Sequence, residues 1–540
     1  MGREEAVMLR EHQMFKLNRS KSRVCACRGT PTSEFEIKSE EIKMIKINSE
    51  IKKYQLNFWN NCIFHPTDAV EDSWGKRILD RMSDDKSIDT VRIYNMFEDI
   101  VYIDGNGNIA YDFRVNDLRL DYLVEKGFDV LIAYAFTPEC IATSSKALTS
   151  VSKNKTRYKG KMINSSMPKS LDIWEDMCYE YTKHIVERYG IERVSKWHLH
   201  CWNEPDISAF FLSDLPKDMP TEEQTKIRAE EYCKLYEKFE KALRRVSEKL
   251  RFGGPALAHK LDFLDMFLKY VRKNNLRMDY IAVHNYSDKS WKNLIDGGKF
   301  SVEDWVSVQN EYQQVIDKNG FSDTEIVVDE WGMAAQGYFN IEECPPYIAR
   351  EHEVFSSYYV KLIHEIIRND IKMEKLMICL SGQHEMVTDF SGFRNFFTLN
   401  FIAKPIYSAY VLGSKLYKGL LGYECENDKI FAIPTKSEEG NYSVLMTYTG
   451  DGFTETLPGI TEEIVFDECI KGKKAVVWCI DKDNCNPYRM YEKMGKPQMT
   501  DELVKVLKAE GNVKPLCEFT AEDNIELKLT ANCVYLVEIM

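Results

Sequence analysis

Eight short apolar runs, each followed by a stretch of helical periodicity, constrain this chain more than anything else in it. The runs are YQLNFWN (54–60), TVRIYN (90–95), DVLIAYAF (129–136), WHLHCWNE (197–204), RFGGPALA (251–258), DYIAVHNY (279–286), EIVVDEWG (325–332) and KLMICLSG (375–382). Runs that are apolar on both faces read as strands of a parallel sheet, because crossover helices cover such strands on both sides. Stretches such as 170–190, 221–246 and 350–370 supply those helices, and their charged faces are most simply the solvated side. Eight such units predict an α/β fold, a (β/α)8 TIM barrel rather than an open doubly wound sheet. No GxGxxG or P-loop follows the first strand to argue for the open sheet.

At 540 residues the chain is too long for one core. Beyond about residue 418 the pattern changes to short strands and turns, which predicts an all-β sandwich over 418–540 after a barrel over 51–417. FEIKSEEIKMIKI (35–47) alternates apolar and polar residues, so the segment 31–50 is expected to add a strand to the sandwich. Residues 1–30 are polar and basic without periodicity, and are expected to form a flexible extension. The formal net charge of −13 argues against nucleic acid and anionic membrane surfaces, which need clustered Lys and Arg. MGREEAVMLREHQ places charges where a signal peptide needs an apolar segment, so a cytoplasmic location is expected. The 15 cysteines are odd in number and scattered through apolar runs, as free thiols of a reducing compartment would be. Cys25 and Cys27 have no matching second pair for zinc.

Barrel active sites form at the C-terminal ends of the strands. Those ends are polar here: Arg92-Ile93-Tyr94-Asn95 on strand 2, Trp202-Asn203-Glu204 on strand 4, His284-Asn285-Tyr286 on strand 6 and Asp329-Glu330-Trp331 on strand 7. Strict alternation groups His198, His200, Trp202 and Glu204 on one face of strand 4. On strand 7 it groups Ile326, Val328 and Glu330, leaving Asp329 on the other face. If those faces point inward, Glu204, Glu330 and Arg92 converge. Two carboxylates across a pocket suit glycosidic bond cleavage, one giving a proton to the leaving oxygen and the other attacking the anomeric carbon. Arg92 near Glu330 would hold that carboxylate ionised, while a drier setting would keep Glu204 protonated. Asn203, Arg92, Tyr94, His284, Tyr286 and Trp331 are the candidate substrate-binding residues. His198 and His200 precede the strand end and are expected to pack rather than to bind metal; no metal and no cofactor are expected.

WHLHCWNEPD followed by ISAFF, the glutamate of DEWG, and YDFRVNDLRLDYLVEKGFDVLIAYAFTPECIA (111–142) together resemble glycoside hydrolase family 39. That is the family of bacterial β-xylosidases and α-L-iduronidase. The likeness continues through 390–410 and 481–500. The resemblance implies a retaining double displacement with Glu204 as acid/base and Glu330 as nucleophile, acting on a small oligosaccharide or glycoside. This sequence departs from the family's β-xylosidases at Tyr94, where His is usual, at His200, where an acid is usual, and at Leu380-Ser381-Gly382, where an aromatic is usual. No extra Lys or Arg for a uronic carboxylate is apparent, which makes a neutral β-glycoside the expected substrate, xyloside first. β-Glucosidase, β-galactosidase and α-L-arabinosidase are the alternatives within the family, and a non-catalytic carbohydrate-binding barrel the alternative outside it. Homo-oligomerisation is left open, as is closure of the 143–168 loop over the site.

Overall fold

The computed structural model describes residues 43–540 except 56, 65–72, 98–99, 151–161, 287–298, 336, 338 and 381–385. The 1–30 extension, the first part of the 31–50 strand and the centre of the 143–168 loop lie outside these residues. Eight parallel strands close a barrel: Asn61–Phe64, Thr90–Met96, Asp129–Ala135, His198–Cys201, Phe252–Leu257, Tyr280–Tyr286, Glu325–Gly332 and Met373–Leu380, hereafter barrel strands 1 to 8. A helix follows each strand. That of Leu171–Tyr189 shows why these segments are helical. Ser170 caps its first turn by accepting from the Asp172 N–H, and Gly190, at φ 81°, ends it. Its apolar face buries Trp174, Met177, Cys178, Tyr181 and Ile185.

Strand 1 begins at Asn61 rather than within 54–60. Asn57 Oδ1 accepts from the Asn60 N–H, and Asn61 Nδ2 donates to the Phe58 carbonyl at 2.7 Å. These asparagines bend the chain, so Phe58 and Trp59 are buried in a lead-in whose apolar pattern mimics a strand.

The second module is one continuous nine-stranded sheet that curls around its own core of Ile45, Ile47, Val444, Ile464, Val477 and Val537. The strand Lys43–Tyr54 lies inside that sheet, antiparallel to Gly419–Cys425 and parallel to Ile460–Phe466. The opposite face, through Ile433, Leu445 and Leu536, joins the barrel core. The helix Glu353–Arg368 fills this junction, and a hydroxyl bond of 2.7 Å links Ser357 to Thr447 across it. Among the described residues, Cys62, Cys178, Cys201, Cys379 and seven other cysteines with Cys485 are free thiols, whereas Cys517 is disulfide-bonded, against the expectation of thiols throughout. No helix among the described residues is long and apolar enough to cross a membrane.

Candidate active site

Leu131, Ala256, Tyr280, Ala282, Val327 and Met377 pack together inside the barrel, while Ile281, Val283, Ile326 and Val328 join the core beneath the helices. This sets which side chains reach the mouth. On strand 6 the inward set continues to His284 and Tyr286. On strand 7 it runs Val327, Asp329, so simple alternation points Asp329 inward and turns Ile326 and Val328 outward, the reverse of the predicted grouping. Glu330 arrives in the pocket because the pairing slips: Val283 faces Val328, but His284 faces Glu330. One extra residue on strand 7 forms a bulge that lets two successive carboxylates point the same way.

A second break in alternation occurs on strand 4. The strand ends at Cys201, and Trp202 and Glu204 have φ of 69° and 48°. Left-handed backbone at such residues is costly and persists only where the surroundings fix it. Here the Trp202 N–H donates to Tyr134 on strand 3, and the Glu204 N–H donates to Ala256 on strand 5. Asp206 accepts from three backbone N–H groups, those of Ala258, His259 and Lys260, at 2.8–2.9 Å, which pins the chain just past Glu204. The turn throws the Trp202 indole outward among Phe136, Trp174 and Phe211, with Nε1 donating to the Phe210 carbonyl. Trp202 therefore does not share the pocket with His200 and Glu204. Trp331 is likewise fully buried outside the barrel, about 6 Å from the rings of Phe355, Tyr358 and Tyr359, and does not reach the pocket. The side chain of Tyr94 lies outside the described residues.

Arg92, fully buried, ties the pocket together. Its Nη1 donates to Glu330 Oε1 at 2.8 Å, and its Nη2 donates to Asn203 Oδ1 at 2.6 Å and lies 3.0 Å from Asp329 Oδ2. Tyr286 donates its hydroxyl proton to Glu330 Oε2 at 2.8 Å. His284 Nδ1 lies 2.9 Å from Glu204 Oε1 and 3.7 Å from Glu330 Oε2, with Nε2 3.6 Å from Asp329 Oδ1. His200 is wedged behind, 3.5 Å from both Arg92 Nη2 and Asp329 Oδ2. His198 points to the other end of the barrel, 2.7 Å from Glu374.

These contacts drive the two glutamates apart. Burial pushes the Glu204 carboxyl above the usual range, and the hydrogen bond and charge of His284 only limit the rise. Burial also opposes ionisation of Glu330, but the charges of His284, Arg92 and Arg394 and the Tyr286 hydrogen bond hold it well below that range. Burial disfavours a charged His284, yet the carboxylates of Glu330 and Asp329 and the hydrogen bonds to Asp329 and Glu204 lift it to about 10. Buried His200 falls to about 3 and is neutral. One carboxyl is thus biased toward its protonated form and its neighbour toward its ionised form, the division of labour that acid-assisted displacement requires.

Two participants escape sequence reasoning. Asp329 is one, through the bulge. The other is Arg394, a buried cation 5.2 Å from the Tyr286 ring centre and close enough to act on Glu330. A lone Arg inside FSGFRNFF was its only trace in the sequence. Glu204, His284 and Glu330 offer ligand atoms within 4.8 Å of one another. Both oxygens of Glu330 are already held by Arg92 and Tyr286, and the two guanidinium groups beside it oppose a divalent cation, so this donor set fits metal poorly.

The model of the family described as "Glycosyl hydrolases family 39" matches residues 42–521. The chain belongs to glycosyl hydrolase family 39. It is similar to a β-xylosidase of Caldicellulosiruptor saccharolyticus, 30% identical over 253 residues that make up 46% of each chain. It is also similar to the α-L-iduronidase of Homo sapiens, 26% identical over 172 residues, 29% of this chain and 23% of the relative. The chain thus spans about half or less of the curated relatives it matches. A solved monomeric β-xylosidase from Caulobacter crescentus CB15 superposes with a TM-score of 0.75 at 20% identity, covering 92% of this chain and 99% of that one. As a family 39 barrel, the chain carries its two pocket glutamates at the ends of strands 4 and 7.

Proposed function

We propose that this chain is a retaining, exo-acting glycosidase that removes a terminal neutral β-linked sugar, with β-xyloside the first candidate. The observation that carries the proposal is the pairing of Glu204 and Glu330: carboxylate oxygens within 4.8 Å of each other, one acid pushed up by burial and the other held down by the cations around it. Retaining enzymes hold the two carboxyls about 5–5.5 Å apart, whereas inverting enzymes leave about 6.5–9.5 Å for a water. Glu330 attacks the anomeric carbon as Glu204 protonates the departing oxygen; Glu204 then takes a proton from the water that releases the sugar. Arg92 occupies the Asn203 carbonyl, which leaves Asn203 Nδ2 to donate to a sugar hydroxyl beside the reacting carbon. The 30% identity to β-xylosidases supports xyloside as the first test. β-Glucoside, β-galactoside and α-L-arabinoside belong to the same proposal as alternatives, and a small oligosaccharide or glycoside is the only partner it requires.

Arg394 favours a second reading, a uronoside, since a buried guanidinium near the sugar site suits a carboxylate. A panel of aryl xyloside, glucoside, galactoside, arabinoside and iduronide decides between them. Turnover concentrated on the xyloside supports the first reading, and turnover concentrated on the iduronide replaces it with the second. Sugar binding without hydrolysis across the panel would make the chain a binding barrel.

The charge on His284 gives a pH prediction. Glu330 must be ionised, so activity is lost as pH falls through its pKa; Glu204 must be protonated, so activity is lost as pH rises through its own. His284→Gln removes a cation that lowers both. Both limbs of the kcat/KM profile are therefore expected to move to higher pH together, and a profile that only narrows would contradict this electrostatic role.

A further inference from the structure

Behind the pocket lies a buried ion pair that the proposed reaction does not use. Lys404 Nζ donates to Glu351 Oε1 at 2.7 Å and to the Phe393 carbonyl at 3.0 Å, and both side chains are excluded from solvent. The same Glu351 oxygen accepts from the Gly392 N–H at 2.6 Å. The neighbouring Arg350, stacked 3.8 Å above the Tyr347 ring, donates from Nη1 to the Gly392 carbonyl and from Nη2 to the Ala334 carbonyl. Gly392 adopts φ 82°, and a Cβ there would meet Ile341 at 2.7 Å, so the loop is seated tightly as well as bonded.

Apart from the Lys404–Glu351 contact itself, these bonds end on segments next to the active site. Gly392 and Phe393 immediately precede Arg394, the cation above Tyr286. Ala334 lies four residues beyond Glu330 on the chain leaving strand 7. A buried ion pair is weak evidence for stability, because apolar residues of like volume often serve the fold as well. Its geometry, by contrast, fixes direction: a carboxylate and an ammonium in a dry setting tolerate little displacement.

We infer that Arg350, Glu351 and Lys404 are positioning residues, a clamp that sets Arg394 over Tyr286 beside the Glu330 carboxylate and registers that loop against the end of strand 7. The inference rests on the proposed role of Glu330. It adds that the nucleophile's charge is governed from a site that substrate never touches. Glu330 also faces Arg92 on strand 2, His200 on strand 4 and Glu204 just past its end, His284 and Tyr286 on strand 6, Asp329 on its own strand and Cys379 on strand 8.

The test is the isosteric double variant Glu351→Gln with Lys404→Met, which cancels both charges at nearly constant volume. It is assayed for kcat/KM against pH on the aryl glycoside that wild type hydrolyses best. The expected result is an acid limb moved upward, in the same direction as in Arg394→Gln, with the triple variant moving no further than Arg394→Gln alone. A double variant with a changed Tm but the wild-type acid limb would reduce the clamp to a structural role and overturn the inference. So would an unmoved limb in Arg394→Gln. Should the double variant not fold, Arg350→Lys, which keeps the charge but cannot bridge both carbonyls, is assayed in its place with the same two outcomes. If wild type hydrolyses nothing on the panel, the proposed function falls. The crystal structure of the variant then decides the clamp by itself: an Arg394 guanidinium displaced from Tyr286 supports it, and one unmoved overturns it.

Discussion

Replacing Glu330 by alanine is expected to lower kcat/KM on an activated aryl glycoside by roughly 10^5-fold, about 7 kcal/mol of transition-state stabilisation. The substitution removes the nucleophile and leaves a small space beside Arg92 and Tyr286, whose donors then face whatever anion enters. Added azide is expected to restore turnover and to yield the glycosyl azide of inverted, α configuration, since the anion attacks from the face Glu330 occupied. Asp329 is the natural control. It shares Arg92 and His284 with Glu330 but is fully buried, whereas Glu330 keeps a few per cent of its surface exposed to the pocket. Azide rescue of Asp329→Ala in place of Glu330→Ala would reverse the assignment.

Glu204→Ala is expected to act differently. General acid assistance is worth about 10^2–10^4-fold, and that loss should fall on substrates with poor leaving groups. A dinitrophenyl glycoside, which departs without a proton, should react with Glu330 at close to the normal rate and accumulate as glycosyl-enzyme, because the second step has lost its base. The basic limb of the pH profile should vanish with the group that produces it. Burial raises the Glu204 pKa, so in wild type activity is lost only as pH climbs past that raised value; in the variant the profile on that side should be flat. Equal losses on good and poor leaving groups, with the basic limb retained, would exclude Glu204 as the proton donor.

The barrel was legible because eight apolar runs and their helices repeat, and the carboxylates because they stand where barrel strands end. What misled was parity. Alternation placed Glu330 in the pocket by grouping it with Ile326 and Val328, yet those two face the helices and the bulge delivers the glutamate. The same rule put Asp329 on the outward face and Trp202 on the inward one, and the structure reverses both. A bulge and a left-handed residue each shift the count by one, and neither has an obligatory residue type to announce it. Trp331 was misplaced for another reason: an aromatic at a strand end serves a sugar or the helix layer equally well in sequence terms. Arg394 was beyond reach because its importance is wholly tertiary. It arrives on a loop far from strand 7, through a clamp whose members are scattered from 350 to 404.

The strand Lys43–Tyr54 has a consequence for the order in which the chain can be assembled. It is made before the barrel, yet both of its partners, Gly419–Cys425 and Ile460–Phe466, are made after it. During synthesis the barrel strands can find their neighbours in turn, while this strand waits unpaired for some 370 residues. The curled sheet therefore cannot close until the whole barrel has been made between its parts, and closure joins the two ends of the barrel module like a clasp. Cutting at residue 55 would leave two interior strands as open edges and remove Ile45 and Ile47 from the core, the conditions under which sheets aggregate. The two modules are consecutive in outline but interleaved in the making.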